Sequence, residues 1–551
     1  MPLRSTGCFT CRKRKIRCDE TRPQCKKCST HGVACPGYRT DGLGGIEFKD
    51  QTRDTMARAK NGYRAKEDAI VRKNAPPLQE STFGLPIPTQ TAAVDWIGEE
   101  FLTGQMMVAG RYLPDYVLSP AVQRLQLYGT FLDVYLPKNS SHLDHFSFFQ
   151  TLAALPTQQV ALTEALDALS LVAVGSLHKD KAVLSQSVNR YGKALSSLAR
   201  ALTKPGEAES DEVFAATSVL ATCALYDTIG SHDNGWGKHV NGSQQLIAAR
   251  GPKSMQSKLS LLLFSNTRHG ALCWALIERK APYLAKPEWR ELAFTSCIQD
   301  SSTVFYDLAL QIPGLLGRFD QIGDTVALSF ENVSELLSDC ETIEAGLRQW
   351  WLDWDMRTLM QGGLLYDQRP IDEFLTFAGL VSDRTFESAY VFASFPVAYL
   401  ASMYWMCMHF LRDEVQSLQK LCHDLESDWY PTEGSAVTQE ELYEYCIHLC
   451  KTIPYFCEPM SSSTGHVGIF LPMRTAAVHF TTHGQWKQAK WVGAVRNSVF
   501  TKGLSPPSIG DRPRTLKSLS QIALYQHEKQ HPWKNGAPHP ISETCGKKAL
   551  L

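Results

Sequence analysis

The sequence predicts a mainly α protein: a small cysteine-rich module, a Pro-rich linker and a large all-α body. Three observations predict it. Apolar residues through the long central part recur at spacings of three and four, the period of a helix with one buried face. Alternating strand patterns closed by Asn-Gly or Asp-Gly turns are scarce there. Six of the 16 cysteines fall in the first 35 residues, a stretch with few large hydrophobes.

The chain has 551 residues, 44% hydrophobic and 20% charged, which excludes a collagen-like or wholly disordered chain and leaves ample material for a large core. Its 56 Lys+Arg balance 56 Asp+Glu, but unevenly: residues 1–75 carry +10 and residues 76–551 carry −10. A basic start on an acidic body points to a polyanionic partner for the first part only. The opening residues lead straight into a Cys- and Arg-rich stretch, not an apolar run, so a reducing compartment is expected. Clustered cysteines there bind metal more often than they form disulfides.

Taken in order, residues 1–40 form the Cys/basic module and 41–95 a linker with a short helix. Within it, DGLGGIEFKDQT is turn-rich. Residues 53–73 have helix-forming composition, but Met56, Ala59, Tyr63 and Ile70 make too thin a stripe for a dimerising coiled coil. Residues 75–91 hold four prolines and almost no charge. Residues 96–500 form the helical body. There VQRLQLYGTFLDVYL (122–136) has helical spacing, and Ser210 or Asp211 caps a helix running towards Thr228 that is too apolar for a surface position. Residues 501–551 are expected as a C-terminal helix and a loose tail. Residues 391–411 lack Lys, Arg, Asp and Glu, but Pro396 and His409 interrupt them, so a buried core helix is expected, not a membrane span.

The cysteines Cys8, Cys11, Cys18, Cys25, Cys28 and Cys35 are spaced C-x2-C-x6-C-x6-C-x2-C-x6-C, a duplicated C-x2-C-x6-C. Zinc prefers four sulfurs in a tetrahedron at about 2.3 Å. Six thiolates satisfy two such ions only if two sulfurs bridge, and the duplication suggests two Zn2+ with the first cysteine of each half shared. With so little core, the module is expected to depend on metal for folding.

Residues 8–35 resemble the binuclear zinc cluster (Zn2Cys6) of fungal transcription factors. The likeness extends to the basic run RKRKIR after Cys11, to Asp19 after Cys18 and to Pro23 two before Cys25. The resemblance implies one zinc on Cys8, Cys11, Cys18 and Cys25, and another on Cys25, Cys28, Cys35 and Cys8. It also implies that Lys15 reads a CGG-like triplet in the major groove, with Arg14, in place of the lysine common there, beside it. Arg12, Lys13, Arg17, Lys26 and Lys27 are expected at phosphates, which position a protein without specifying sequence. The second half carries STHGVA where the first carries its basic run, an asymmetry that zinc does not require and an anion explains.

The body also resembles, more loosely, the helical regulatory region of these regulators, through Asp211-Glu212, Tyr226-Asp227, Trp236, His239, Gly242, Leu246 and Arg250-Gly251-Pro252, and through FLPMRTAAVHF (470–480) and Trp491. Asp227 departs from the usual Glu. The spacing itself reads as one helix face closed by a Gly-Pro stop, which makes His239 a packing histidine and not a catalyst.

These readings converge on a nuclear, zinc-dependent, sequence-specific regulator of RNA polymerase II transcription, with double-stranded DNA as its partner. Self-association, the transcription machinery and a small-molecule effector are further partners to consider; no membrane and no enzymatic activity are expected. A zinc module that docks protein or RNA as a transcription cofactor is the alternative. A metal hydrolase is a remote one: His527-Glu528-Lys529-Gln530-His531 fits H-E-x-x-H, but Lys534 and Ala537 stand where the extended motif places Gly and His, and Pro532 ends the helix.

Overall fold

A computed structural model describes residues 8–35, 120–138 and 148–504, apart from short gaps within the first and last of these stretches. The chain falls into two compact units, Met1–Lys49 and Asp50–Leu551. The linker, the helix expected at 53–73 and the segment from 505 onward, with His527 and His531, lie outside the described residues.

The first unit has two one-turn helices, α1 (Phe9–Lys13) and α2 (Lys26–Thr30). Its buried cluster consists of Cys8, Cys11, Cys25 and Cys28, with Cys18 and Cys35 packed against it.

The body begins with α3 (Pro120–Tyr135), α4 (Phe148–Ala153), α5 (Val160–His178) and α6 (Lys181–Thr203). Asp180 caps α6 by accepting from the backbone of Ala182 and Val183, and Lys179 takes the left-handed conformation (φ 56°) that lets α5 and α6 fold into a tight hairpin. Next come α7 (Asp211–Cys223), the short α8 (Asp227–Gly230), α9 (Gly235–Arg250) and α10 (Lys258–Glu278). Ser210 is the α7 cap, its hydroxyl accepting from Glu212 and Val213, and residues 213–220 are buried without a break. The helix expected to run towards Thr228 stops at Cys223; Tyr226 instead pairs with Leu504 in an isolated bridge.

Helices α11 (Pro287–Ser296), α12 (Ser301–Ala309) and α13 (Ile312–Gln321) lead into α14 (Phe330–Met360), which has 31 residues. The body is helical as expected and also holds one two-stranded antiparallel ribbon among its described residues, β1 (Tyr366–Pro370) with β2 (Ser388–Phe392), flanking α15 (Leu375–Leu380). The apolar stretch 391–411 is therefore not one helix. Its start is strand, and α16 (Phe395–Leu425) opens at Pro396, whose ring suits a first turn and has no N–H to continue a helix.

Residues 398–409 of α16 are all buried, between α14 and α17 (Gln439–Cys457). The chain closes with α18 (Ser462–Gly468), α19 (Phe470–Thr482) and α20 (Trp486–Val499), where Trp491 is buried against Phe377 and Phe386. One continuous apolar core runs from Tyr128 to Leu504. Among the described residues, only α5 is long and apolar enough to cross a membrane, and most of it lies inside this core against α3, α6 and α7. The apolar run singled out from sequence was a different one.

Ion pairs thread this core. The Arg412 guanidinium, 4% exposed, reaches Glu344 at 2.8 Å and Glu441 at 2.7 Å, and Arg348 joins both carboxylates. Gly237 lets α9 approach α10: a Cβ there would stand 2.6 Å from the Trp274 ring.

Candidate metal centre and nucleic-acid interface

The module is built twice from the same local device. In each C-x2-C the chain turns into a helix, and the backbone N–H of the second cysteine donates to the sulfur of the first. Cys11 donates to Cys8 Sγ at 3.4 Å, and Cys28 donates to Cys25 Sγ at 3.3 Å. Two thiols thereby point inward from one turn. Their arrival from both halves brings Cys8 Sγ within 3.6 Å of Cys25 Sγ and of Cys28 Sγ, and Cys11 Sγ within 3.7 Å of Cys25 Sγ.

Two groups of four sulfurs result: Cys8, Cys11, Cys18 and Cys25, and Cys8, Cys25, Cys28 and Cys35, every pair within 4.8 Å. Cys8 and Cys25 belong to both. A tetrahedron with metal–sulfur bonds of about 2.3 Å has edges of about 3.8 Å, so the three measured separations fit zinc. All six are free thiols. Burial pushes the Cys11 thiol up to about 12 and raises Cys25 and Cys28 as well. A bound cation is what makes four thiolates tolerable in so small a volume. The residues fit a pair of zinc ions, and the Zn(2)-Cys(6) cluster binds two.

One module residue carries a structural role that sequence reasoning left unassigned. Asp19 accepts from the backbone of Lys26 at 3.0 Å and of Lys27 at 3.3 Å, and from the Thr21 hydroxyl. The Thr21 bond and those two amides hold its carboxyl down to about 2. The first-turn donors of α2 are thus satisfied inside the module, tying the end of the first half to the start of the second. Its signal was an acid directly after the third cysteine and a few residues before a helix.

The expected DNA-contacting residues divide. Lys13 and Arg14, at the end of α1, and Lys26 and Lys27, on α2, are exposed. The α1 helix carries the backbone of Arg12, whereas Lys15 and Arg17 lie outside the described residues.

In the body the separated motif residues meet. Arg250, its side chain 3% exposed, pairs with Asp211 at the start of α7 and lies over the Phe214 ring. Gly251 has φ 73° and Pro252 follows, which ends α9 as the sequence suggests. His239 meets the Tyr191 hydroxyl at 2.6 Å, and burial lowers it to about 4. That is a partnered packing histidine. A further buried cluster, His409, Cys446 and His479, was not singled out from sequence; His409 Nε2 and His479 Nδ1 are hydrogen-bonded to each other at 3.1 Å.

Comparison with known families gives two matches. Residues 6–41 match the fungal Zn(2)-Cys(6) binuclear cluster domain, and residues 126–363 match the fungal specific transcription factor domain. Both are families of transcription factors, not of enzymes. An uncharacterized protein of Emericella nidulans is 29% identical over 239 residues, 40% of this chain and 49% of that protein. The aspercryptin biosynthesis cluster-specific transcription regulator of the same organism is 43% identical over 53 residues, 10% of this chain and 8% of that protein. Arginine metabolism regulation protein II of Saccharomyces cerevisiae is 48% identical over 33 residues, 6% of this chain and 4% of that protein. The chain spans about half or less of the length of these relatives. No solved structure matches.

Proposed function

We propose that this chain, which carries a fungal Zn(2)-Cys(6) binuclear cluster domain and a fungal specific transcription factor domain, is a nuclear, sequence-specific regulator of RNA polymerase II transcription. The observation that carries the reading is a module whose interior is two four-sulfur groups sharing Cys8 and Cys25, while the basic side chains described there are exposed. An interior of metal ligands leaves nothing else to specify the module's surface, and that surface is cationic.

The residues divide the work as follows. All six cysteines hold the metals, with Cys8 and Cys25 as bridges; zinc supplies the charge that fixes the fold. Arg12, Lys13, Arg14, Lys15 and Arg17 meet the duplex; of these, Lys13 and Arg14 are exposed at the end of α1. Lys15 donates to guanine O6 and N7 of a CGG-like triplet in the major groove. Arg12, Lys13, Arg17, Lys26 and Lys27 contact phosphates. Because Asp19 occupies the backbone amides of Lys26 and Lys27, these two residues offer phosphate their side chains and not their amides. The body receives signals and partners, and the duplex selection below decides whether a second copy of the chain is among them.

Selection of duplexes from a random DNA pool by the zinc-loaded, full-length protein tests this. Enrichment of a CGG-like triplet is expected, single for a monomer and paired at fixed spacing for a dimer. A folded, zinc-loaded protein that enriches no duplex sequence would overturn the reading in favour of a module that docks protein or RNA.

A further inference from the structure

Three helices of the body bring metal-binding side chains together in its interior. His409 comes from α16, Cys446 from α17 and His479 from α19, and these helices pack against one another. One ring nitrogen of each histidine and the Cys446 sulfur all lie within 4.8 Å of one another. His409 Nε2 stands 3.1 Å from His479 Nδ1, with the two rings nearly perpendicular at 83°. An ion held by nitrogen at about 2.0 Å and sulfur at about 2.3 Å needs ligand atoms about 3.3–3.7 Å apart. The cluster therefore closes on an ion with side-chain shifts of about 1 Å.

Cys446 is wholly buried, and His479 is 4% exposed. His239 and His448 are each held by a tyrosine hydroxyl, Tyr191 at 2.6 Å and Tyr390 at 2.8 Å. His479 Nε2, in contrast, is buried and has no hydrogen-bond partner among the described residues. A buried ring nitrogen left unpaired calls for an explanation, and imidazole is the commonest metal ligand.

The donors also choose the ion. Two imidazoles and one thiol make a three-ligand set that includes no carboxylate among the described residues. Thiolate selects cuprous copper or zinc and imidazole suits both, but a structural zinc almost always takes four ligands. Charge separates the two further. One thiolate and two neutral rings cancel the single charge of Cu+. Zn2+ would leave a net positive charge in the apolar core, where an uncompensated charge is costly.

We propose that His409, Cys446 and His479 bind one cuprous ion inside the body. Binding forms one copper–sulfur and two copper–nitrogen bonds, and the Cys446 thiol releases its proton to solvent. Copper stays in its +1 state, so no oxidant or reductant is consumed. The ion ties α16, the core helix, to α17 and α19. The site stands whether or not the module reads DNA.

The six module cysteines would also take Cu+, so the test uses the full-length chain carrying Cys8→Ser, Cys11→Ser, Cys18→Ser, Cys25→Ser, Cys28→Ser and Cys35→Ser. The body is a separate compact unit with its own core, so it is expected to stay folded. Cu+ is supplied without oxygen from chelators of graded strength, ferrozine and then bathocuproine disulfonate. One copper per chain is expected, with an X-ray absorption spectrum showing nitrogen and sulfur neighbours in a two-to-one ratio. Adding Cys446→Ser or His479→Gln should weaken binding about a hundred-fold or more. Adding Cys450→Ser, one turn along α17 and equally buried, should change nothing. Circular dichroism and the copper-free urea midpoint show which variants fold, and either ligand variant that folds decides. No copper taken from ferrozine, a sulfur-only spectrum, unchanged binding by a folded ligand variant, or an equal loss from Cys450→Ser would overturn the proposal. Excess Zn2+ should leave the copper in place, and displacement by zinc would overturn the choice of ion.

Discussion

Replacing Cys25 by Ala removes one sulfur from each four-sulfur group, whereas replacing Cys18 removes one from a single group. Among the described residues of the module, the buried apolar cluster is made of the cysteines themselves. Structural zinc contributes about 10–16 kcal/mol in small zinc peptides. One ligand in four is therefore worth about 2.5–4 kcal/mol per ion, or about 10²–10³ in affinity at about 1.4 kcal/mol per factor of ten. Cys18→Ala should lose that once. Cys25→Ala should lose it twice, about 5–8 kcal/mol across the pair, and its module should unfold. The assay is zinc content by mass spectrometry of the full-length protein after titration with a graded chelator, read beside circular dichroism. Expected stoichiometries under mild chelation are two for the parent, one or more for Cys18→Ala and none for Cys25→Ala. Cys450→Ala, buried in α17, should keep both. Two zincs retained in Cys25→Ala, or identical chelator curves for the Cys18 and Cys25 variants, would refute the shared-sulfur arrangement.

Lys15→Ala should abolish preference among duplex sequences, while Lys13→Ala should weaken all duplexes alike and lower the salt slope by about one, read from binding isotherms at several salt concentrations; equal, sequence-independent losses would refute the division of roles. Arg412→Leu leaves the buried Glu344 and the half-buried Glu441 with Arg348 as their remaining ion-pair partner and should destabilise the body by about 3–5 kcal/mol, seen as a lowered unfolding midpoint in urea, with zinc content unchanged. Gly465→Ala places a Cβ 2.1 Å from the Phe456 carbonyl oxygen and should destabilise the body by more than about 3 kcal/mol; a midpoint equal to the parent's would show that this backbone contact relaxes freely. Burial lowers His239, His448 and His479 to about 4 and His466 to about 3, below the ordinary 6.5, so below that pH the unfolded chain takes up protons that the folded chain refuses. Stability of the body should then fall as pH drops from about 6.5 towards 4, by up to about 1.4 kcal/mol per pH unit for each histidine, whereas urea midpoints that stay level or rise at pH 5 would contradict it.

Cysteine spacing is a local signal, because C-x2-C needs only one turn to aim two thiols at one point. That is why the six ligands, the two-ion count and the basic first half were legible in the chain alone. Caps and stops are equally local: Ser210 begins α7, and Gly251-Pro252 ends α9 where the residues say they should. Other features depend on residues far apart in sequence. The link between Asp211 and Arg250 needed the packing of α7 against α9, although both residues were visible as motif members. Asp19 closing the α2 amides needed the second half of the module to fold back on the first. The β1–β2 ribbon was missed because its two strands are separated by α15, β1 (YDQRP) is polar, and the end of β2 reads as apolar text continuous with α16. The cluster of His409, Cys446 and His479 was missed because its members come from three helices, α16, α17 and α19. By itself, the sequence determined the module's metal chemistry, the helical class and the sign of the module's partner, since each follows from spacing and composition along a short stretch. Only the tertiary structure decided where buried charge is neutralised and where buried histidines and a thiol converge, because both are properties of side chains that meet after the chain has closed on itself.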